Sequence, residues 1–236
     1  GEDFYPLNFS ATASGQGELV FVGFGIVEPA FFYDDYTGQD VSGKVVLVLD
    51  REPGVDDPQS AFDGIVTANA STGWRKALAA QARGAAGILF VRDVHNRPAV
   101  ADFAQAASNY WPSSPRRIER FTLGIWVDQI RIPVLQVSAA LAERLVAGTG
   151  RTLQELAAAS ESVSGLGPID LPGPVVSIRA SVERHTAPAR NVVGLIEGAD
   201  PVLRDEVIII TAHHDHNGVD GADVFNGADD DGSGIV

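Results

Sequence analysis

Several residue types are absent or scarce in this chain, and each absence narrows what the protein can be. The 236 residues contain no cysteine and no methionine. The lack of cysteine excludes a disulfide framework and a thiolate metal site. Only 17 lysines and arginines stand against 31 aspartates and glutamates, which gives a formal net charge of -14. This charge argues against nucleic acid and anionic membrane surfaces as partners, because both attract basic proteins.

Long apolar runs are absent as well. The longest, such as residues 45–49 and 208–210, are far shorter than the ~20 residues that cross a bilayer, and no signal peptide is recognisable. The absence of methionine predicts that the chain does not begin at an initiator and is part of a longer protein. A hydrophobic content of 45% allows one large or two small cores.

An apolar run near the end of the sequence leads into histidines and carboxylates. Residues 207–211 are β-branched and uncharged, which predicts a buried strand of a parallel or mixed sheet. His213 and Asp215 follow, and their spacing of two puts them on the same side of an extended chain. We expect functional side chains here, because sites in α/β sheets collect beyond the carboxyl ends of the strands.

A turn rich in carboxylates follows about a dozen residues later. Residues 229–234 read Asp-Asp-Asp-Gly-Ser-Gly, and three such carboxylates are not buried without a counter-charge. Such a turn by itself is usually a solvated loop or a calcium-binding loop, but its register does not fit an EF-hand. A single histidine after a strand is also more often structural than a ligand. Together, the imidazole and carboxylate groups predict a site for zinc or for a similar ion such as cobalt or manganese.

The two motifs together resemble the metal-binding core of the M28 zinc peptidases. This family includes bacterial aminopeptidases with two co-catalytic zinc ions. The resemblance lies in Ala-His-His-Asp-His-Asn-Gly at 212–218 and in Asn-Gly-Ala-Asp-Asp-Asp-Gly-Ser-Gly at 226–234. Residues 191–198 are similar to the strand that enters the catalytic domain of the family.

The resemblance implies a role for each of three residues. His213 would be a ligand of one zinc ion, and Asp215 would be the catalytic-site acid that orients it. Asp230 would bridge two zinc ions, because a shared carboxylate screens the repulsion between two cations. The resemblance also implies a cis peptide between Asp230 and Asp231.

The implied function is that of a metal-dependent exopeptidase. We expect an aminopeptidase that hydrolyses N-terminal residues of peptides with a water molecule activated by two zinc ions, and that is secreted or periplasmic in a bacterium. The family's Glu-Glu pair, which includes the general base, a further acidic ligand and a last histidine have no counterpart in this sequence. We therefore expect this chain alone to be inactive. Peptide is the expected partner, and the oligomeric state and substrate preference stay open.

The preceding part of the sequence predicts a β-rich module. Strands are predicted at 19–25, 43–50, 85–91 and 132–138, with helices at 74–83 and 139–147, the second capped by Ser138. These segments resemble the protease-associated domain, which is fused to many peptidases. The long segment 93–125 is predicted either as a loop over the peptidase cleft or as a surface excursion. A non-catalytic binding module for peptides or proteins is therefore the alternative function.

These predictions combine into an α/β (α+β) fold with two domains. A β-rich protease-associated domain would occupy residues 1–165, and a linker rich in glycine and proline residues 166–174. Residues 175–236 would form the N-terminal strands of an incomplete, mixed-sheet α/β zinc-peptidase domain. Within it, the segments 175–182 and 191–196 are predicted to pair as strands.

Overall fold

The computed structural model describes residues 2–62, 66–114, 121–213 and 215–235. These residues form two units. Unit 1 comprises Gly1–Ser113 and Thr122–His185, and unit 2 comprises Ser114–Phe121 and Thr186–Val236. The division after His185 lies beyond the predicted linker at 166–174, because residues 169–180 form a strand of unit 1. Leu171 in that strand is buried against the core of unit 1.

Unit 1 is built around a six-stranded mixed sheet. Its described strands and a small hairpin are, in chain order, β1 (Phe4–Pro6), β2 (Ala13–Phe21), β3 (Val27–Glu28), β4 (Tyr33–Asp34), β5 (Val45–Leu49), β6 (Gly87–Val91), β7 (Val134–Val137) and β8 (Ile169–Ala180). The sheet order is β1-β7-β6-β5-β2-β8, and β3 pairs with β4. The four central strands are parallel, while β1 and β8 run antiparallel at the edges. The predicted mixed α/β fold is confirmed.

Helices lie in the connections between these strands. They are α1 (Gly73–Ala82), α2 (Phe103–Tyr110), α3 (Gly124–Val127), α4 (Ala139–Val146) and α5 (Leu153–Ala159). The two predicted helices correspond to α1 and α4, and the predicted cap is confirmed: the Ser138 hydroxyl oxygen accepts the Leu141 N–H at 3.0 Å. The sequence reasoning missed α5, α2 within the segment 93–125, and α3, which begins at the end of that segment. Residues 115–120 of that segment lie outside the described residues.

Two apolar clusters cover the two faces of the sheet. Side chains alternate along a strand, so Val46 and Val48 of β5 enter one cluster and Leu47 enters the other. The cluster with Leu47 includes Ala142 of α4 and Leu156 of α5. Helix α1 contributes Ala77 and Ala80 to the opposite cluster. The helices on both faces bury β5 and β6 completely, as their continuous apolar sequences predict.

Unit 1 also buries charged side chains. Lys76 of α1 is fully buried, and its ammonium donates to the carbonyl oxygens of Leu49, at 2.9 Å, and Arg51. Burial lowers the pKa of Lys76 to about 8. Asp35 accepts the N–H of Ile26 and the hydroxyl of Tyr33, both at 3.0 Å. Burial raises the pKa of Asp35 to about 6, although its hydrogen bonds act in the opposite direction.

Unit 2 contains less regular structure. An antiparallel hairpin joins β9 (Gly218–Asp220) to β10 (Asp223–Phe225), and a 3-10 turn follows at Gly232–Ile235. The predicted strands at 207–211 and 191–196 were wrong as strand assignments: both segments are irregular and exposed. A strand needs a hydrogen-bonded neighbour, and neither segment has one among the described residues. Residues 175–180 of the strand predicted at 175–182 belong to β8, which pairs with β2 and not with 191–196.

The lengths of the helices bear on the expectation that no apolar segment of the chain crosses a bilayer. Across the described ranges, no helix is both long enough and apolar enough to span a bilayer.

Candidate metal centre

The two sequence motifs meet in unit 2. His213 lies just after the irregular segment 207–211, and Asp230 lies in the turn that precedes the last 3-10 turn. The imidazole Nε2 of His213 is 3.1 Å from Oδ1 of Asp230. Seventeen residues separate them in the sequence. The structure therefore brings together the two residues that the resemblance implies as metal ligands.

Asp215 contacts the same imidazole from the other side. Nδ1 of His213 is 2.7 Å from the main-chain oxygen of Asp215 and 3.5 Å from its carboxylate Oδ1. The closer partner is thus the carbonyl, whereas the sequence reasoning assigned the orienting role to the carboxylate. A carbonyl oxygen only accepts, so Nδ1 carries the hydrogen and Nε2 of the neutral ring presents its lone pair.

This tautomer places two acceptors against each other. The Nε2 lone pair and the Asp230 carboxylate repel unless a proton or a cation lies between them. The hydrogen bond to the Asp215 carbonyl, together with the Asp230 carboxylate, raises the pKa of His213 and so favours a proton there. A divalent cation would likewise bind the lone pairs of both acceptors. Imidazole nitrogen and carboxylate oxygen are ligand atoms typical of zinc. The residues present therefore fit a metal ion.

The donor set in the described structure is nevertheless small. Among the residues that the structure describes, no group of three or more histidine, cysteine, aspartate or glutamate side chains is placed to hold a metal ion. The side chains of His213 and Asp230 are also open to solvent, with exposed fractions of 47% and 79%. Water screens charge interactions at such positions, so these two donors alone form a weak site.

Glycines allow the two motifs to approach closely. A Cβ atom at Gly227 would lie 2.7 Å from Cβ of His216 and 3.0 Å from the carbonyl oxygen of Asp230. A Cβ atom at Gly234 would lie 2.9 Å from Cβ of Ala212. Because both distances to carbon are shorter than real Cβ contacts, a side chain at either position would force the motifs apart. The peptide between Asp230 and Asp231 is cis, as the resemblance implies.

Comparison with known proteins supports the assignment of this segment. Residues 191–236 match the family model of Peptidase family M28, and this range contains both motifs. The predicted resemblance is therefore confirmed for the segment. No curated protein matches the chain.

Several solved structures show a remote likeness, and one of them is an aminopeptidase. The chain is similar to the aminopeptidase from Aneurinibacillus sp. strain AM-1, with 17% sequence identity and a TM-score of 0.31. The alignment covers 61% of this chain and 25% of that chain. The chain thus spans about a quarter of the length of this relative.

One contributor to the site had no signal in the sequence. The carbonyl of Asp215 fixes the tautomer of His213, but every residue carries a carbonyl, so composition and spacing do not reveal it. The glycines of the second motif did carry a signal, because glycine is the residue that permits close backbone approach.

Proposed function

We propose that this chain carries part of the two-zinc active site of a metal-dependent exopeptidase, specifically an aminopeptidase that releases N-terminal residues from peptides. The observation that carries this proposal is the contact between His213 Nε2 and Asp230 Oδ1 at 3.1 Å. It lies within the segment that matches the M28 peptidases. The family match supports peptidase chemistry, while the two-zinc arrangement and the aminopeptidase specificity are our proposal.

His213, Asp215 and Asp230 would each have a distinct role at the metal site. His213 presents a neutral nitrogen, because the Asp215 carbonyl holds the hydrogen on Nδ1. Asp230 supplies negative charge, and its second oxygen makes no hydrogen bond within the described ranges, which leaves it available to a second cation. A bound zinc ion supplies a Lewis acid that lowers the pKa of water. The chain itself supplies the ligand atoms, orients them and provides the negative charge.

The chain alone is proposed to bind zinc weakly and to lack peptidase activity. The general base implied by the family resemblance has no counterpart in the sequence, and loss of a general base typically costs ~10² to 10⁴ in rate. Hydrolysis of aminoacyl-p-nitroanilides by the 236-residue chain would contradict this part of the proposal.

Zinc titration of the chain tests the site directly. We expect His213→Ala and Asp230→Asn each to weaken zinc binding by about tenfold or more, equivalent to ~1.4 kcal/mol. His185→Ala is the matched control, since His185 is an exposed histidine of unit 1 whose nearest charged partner is Glu183. Zinc affinity that is equal in the wild type and in both site variants would rule out the assignment.

The second candidate is a non-catalytic role for unit 1 as a protease-associated domain that binds peptides or proteins. It is favoured by the separate core of unit 1, which contains none of the three predicted site residues. Binding of unfolded or peptide substrates that survives both His213→Ala and Asp230→Asn would support it. Binding that disappears with the zinc site would count against it.

A further inference from the structure

A small cleft opens at the carboxyl ends of the parallel strands of unit 1. Its volume is about 130 Å³. It is lined by residues from β1, from the ends of β5 and β6, from α2 and from β7, among them Tyr5, Asp50, Arg92, Phe103 and Gln136. Open α/β sheets bind ligands in the crevice beyond the carboxyl ends of their strands. The cleft lies at this same edge of the sheet.

The wall formed by α2 is held firmly against β1. The Tyr5 ring lies 5.2 Å from the Phe103 ring and 5.1 Å from the Tyr110 ring, measured between centroids. The Tyr110 hydroxyl donates to Oδ1 of Asn8 at 2.8 Å, and Nε1 of Trp111 donates to the Pro6 carbonyl at 2.7 Å. The cleft is thus formed before any ligand arrives, which lowers the entropic cost of binding.

Two opposite charges enter the cleft side by side. Leu49 of β5 is paired with Val91 of β6, so the next residues, Asp50 and Arg92, leave the sheet together. Within the described ranges, neither side chain forms an ion pair. This differs from Arg83, Arg144 and Arg184, each of which pairs with a carboxylate at 2.9 to 3.2 Å. Arg92 has no carboxylate partner among the described residues, whereas the charge of Asp50 is opposed by the buried ammonium of Lys76 without a direct ion pair. A partly buried cleft that presents a cation and an anion is suited to a ligand that carries both charges.

Each of the two charges is oriented by a bond to the main chain. Oδ1 of Asp50 accepts the N–H of Asp93 at 2.8 Å, and Nε of Arg92 donates to the Pro98 carbonyl at 2.7 Å. The buried ammonium of Lys76 fixes the carbonyls of the residues on both sides of Asp50. The second carboxylate oxygen of Asp50 and the terminal nitrogens of Arg92 make no hydrogen bond among the described residues. They remain available to a ligand.

We propose that this cleft binds a free α-amino acid with a small side chain. The ligand ammonium would contact Asp50, its carboxylate would contact Arg92 and its side chain would face Tyr5 and Phe103. The volume fits this class: a cavity of about 150 Å³ accommodates benzene, and alanine likewise has six non-hydrogen atoms. The proposal does not depend on the proposed peptidase function, because all of the groups involved belong to unit 1.

Binding of L-alanine to the 236-residue chain tests the proposal. Ligand-observed NMR up to ~10 mM would detect a Kd near 1 mM. N-acetyl-L-alanine lacks the ammonium and L-alaninamide lacks the carboxylate, so each is expected to bind at least tenfold more weakly than L-alanine. No detectable binding of L-alanine, or equal binding of the three compounds, would overturn the proposal.

Two variants assign the ligand charges to residues. Asp50→Asn keeps the oxygen that accepts the Asp93 N–H. We expect this variant to bind L-alanine at least tenfold more weakly than the wild type does, and no more tightly than it binds N-acetyl-L-alanine. Arg92→Gln is expected to remove the preference for L-alanine over L-alaninamide. Asp170→Asn is the matched control, because its carboxylate pairs with Lys44 and does not line the cleft.

Circular dichroism would verify that each variant is folded. If a variant does not fold, the comparison of the three compounds on the wild-type chain still decides the proposal. Wild-type affinity for L-alanine in folded Asp50→Asn and Arg92→Gln would also overturn it.

Discussion

Two apolar segments of similar sequence have opposite surroundings in the two units. Val45–Leu49 forms β5 of unit 1, and every one of its residues is fully buried. In unit 2 the segment around Ile208 and Ile210 is irregular, and these two residues are 93% and 88% exposed. Strand β5 pairs with β2 on one side and β6 on the other, whereas the segment in unit 2 has no partner in the described part of the chain. Apolar β-branched sequence thus becomes a strand only where neighbours complete its hydrogen bonds.

The charged side chains of the two units likewise differ in burial. Asp35 in unit 1 is buried and accepts three hydrogen bonds, from Ile26, Tyr33 and Leu166. His213 and Asp230 in unit 2 contact each other at the surface. A buried carboxylate with three of its roughly four lone-pair positions hydrogen-bonded to the surrounding chain serves the fold. Two exposed acceptors that face each other, His213 Nε2 and Asp230 Oδ1, remain available to a cation.

Truncation of one apolar side chain in each unit tests this difference most directly. Leu47→Ala in β5 removes a fully buried side chain and should lower the free energy of unfolding of unit 1 by about 2 to 5 kcal/mol. Ile209→Ala removes a side chain that is 76% exposed and should change it by less than about 0.5 kcal/mol. Urea denaturation followed by circular dichroism measures both. Equal losses would show that residues 207–211 are packed in solution.

The next effect concerns the pH dependence of stability. The pKa of Asp35 is raised from 3.8 to about 6 in the folded chain, so the folded state binds more protons than the unfolded state between these values. The contribution of Asp35 is therefore most favourable below pH ~4 and is lost as the pH rises through about 6, a change of ~3 kcal/mol.

Asp35→Asn tests that effect. The variant should be less stable overall, because one buried N–H loses its acceptor, but the part of the slope due to Asp35 should disappear. Asp40→Asn, at an exposed aspartate, should leave the slope unchanged. Urea midpoints measured from pH 4 to pH 7 would decide, and an unaltered slope in Asp35→Asn would contradict the assigned pKa.

The smallest predicted effect compares two serines. Ser138→Ala removes the N-cap of α4 and should cost unit 1 about 1 kcal/mol, because the Leu141 N–H loses its acceptor. Ser233→Ala in unit 2 removes only a bond of 3.3 Å to the Asp229 carbonyl and should leave the unfolding of unit 1 unchanged. Thermal unfolding of the two variants provides the measurement. A loss for Ser233→Ala as large as that for Ser138→Ala would mean that the two units unfold together.

Local signals in the sequence predicted some elements well. The predicted helix at 74–83 corresponds to α1 at Gly73–Ala82, and the predicted strand at 85–91 corresponds to β6 at Gly87–Val91. Helix α5 was missed although its capping box, Thr152 with Glu155, is a recognisable start signal. The strand at 169–180 was cut short by the predicted linker, because Pro172 and Pro174 suggest a break. Both prolines lie in an edge strand, which is where a sheet tolerates them.

Sequence patterns alone predicted the ligand groups of the candidate metal centre. His213, Asp215 and Asp230 could be identified because imidazoles and carboxylates at these spacings carry a specific family resemblance, and the match of residues 191–236 confirms that resemblance. The central strands of unit 1 were also determined locally, because uncharged runs of five residues favour burial.

Which side chains come into contact depends on the tertiary structure and cannot be read from the local sequence. The distance between His213 and Asp230, the carbonyl partner of His213 and the cleft between Asp50 and Arg92 depend on contacts between residues distant in sequence. So does the fate of each apolar run, since β5 is a strand only because β2 and β6 flank it. A periodic pattern specifies which face of a segment is apolar, but the neighbour that covers this face comes from elsewhere in the chain.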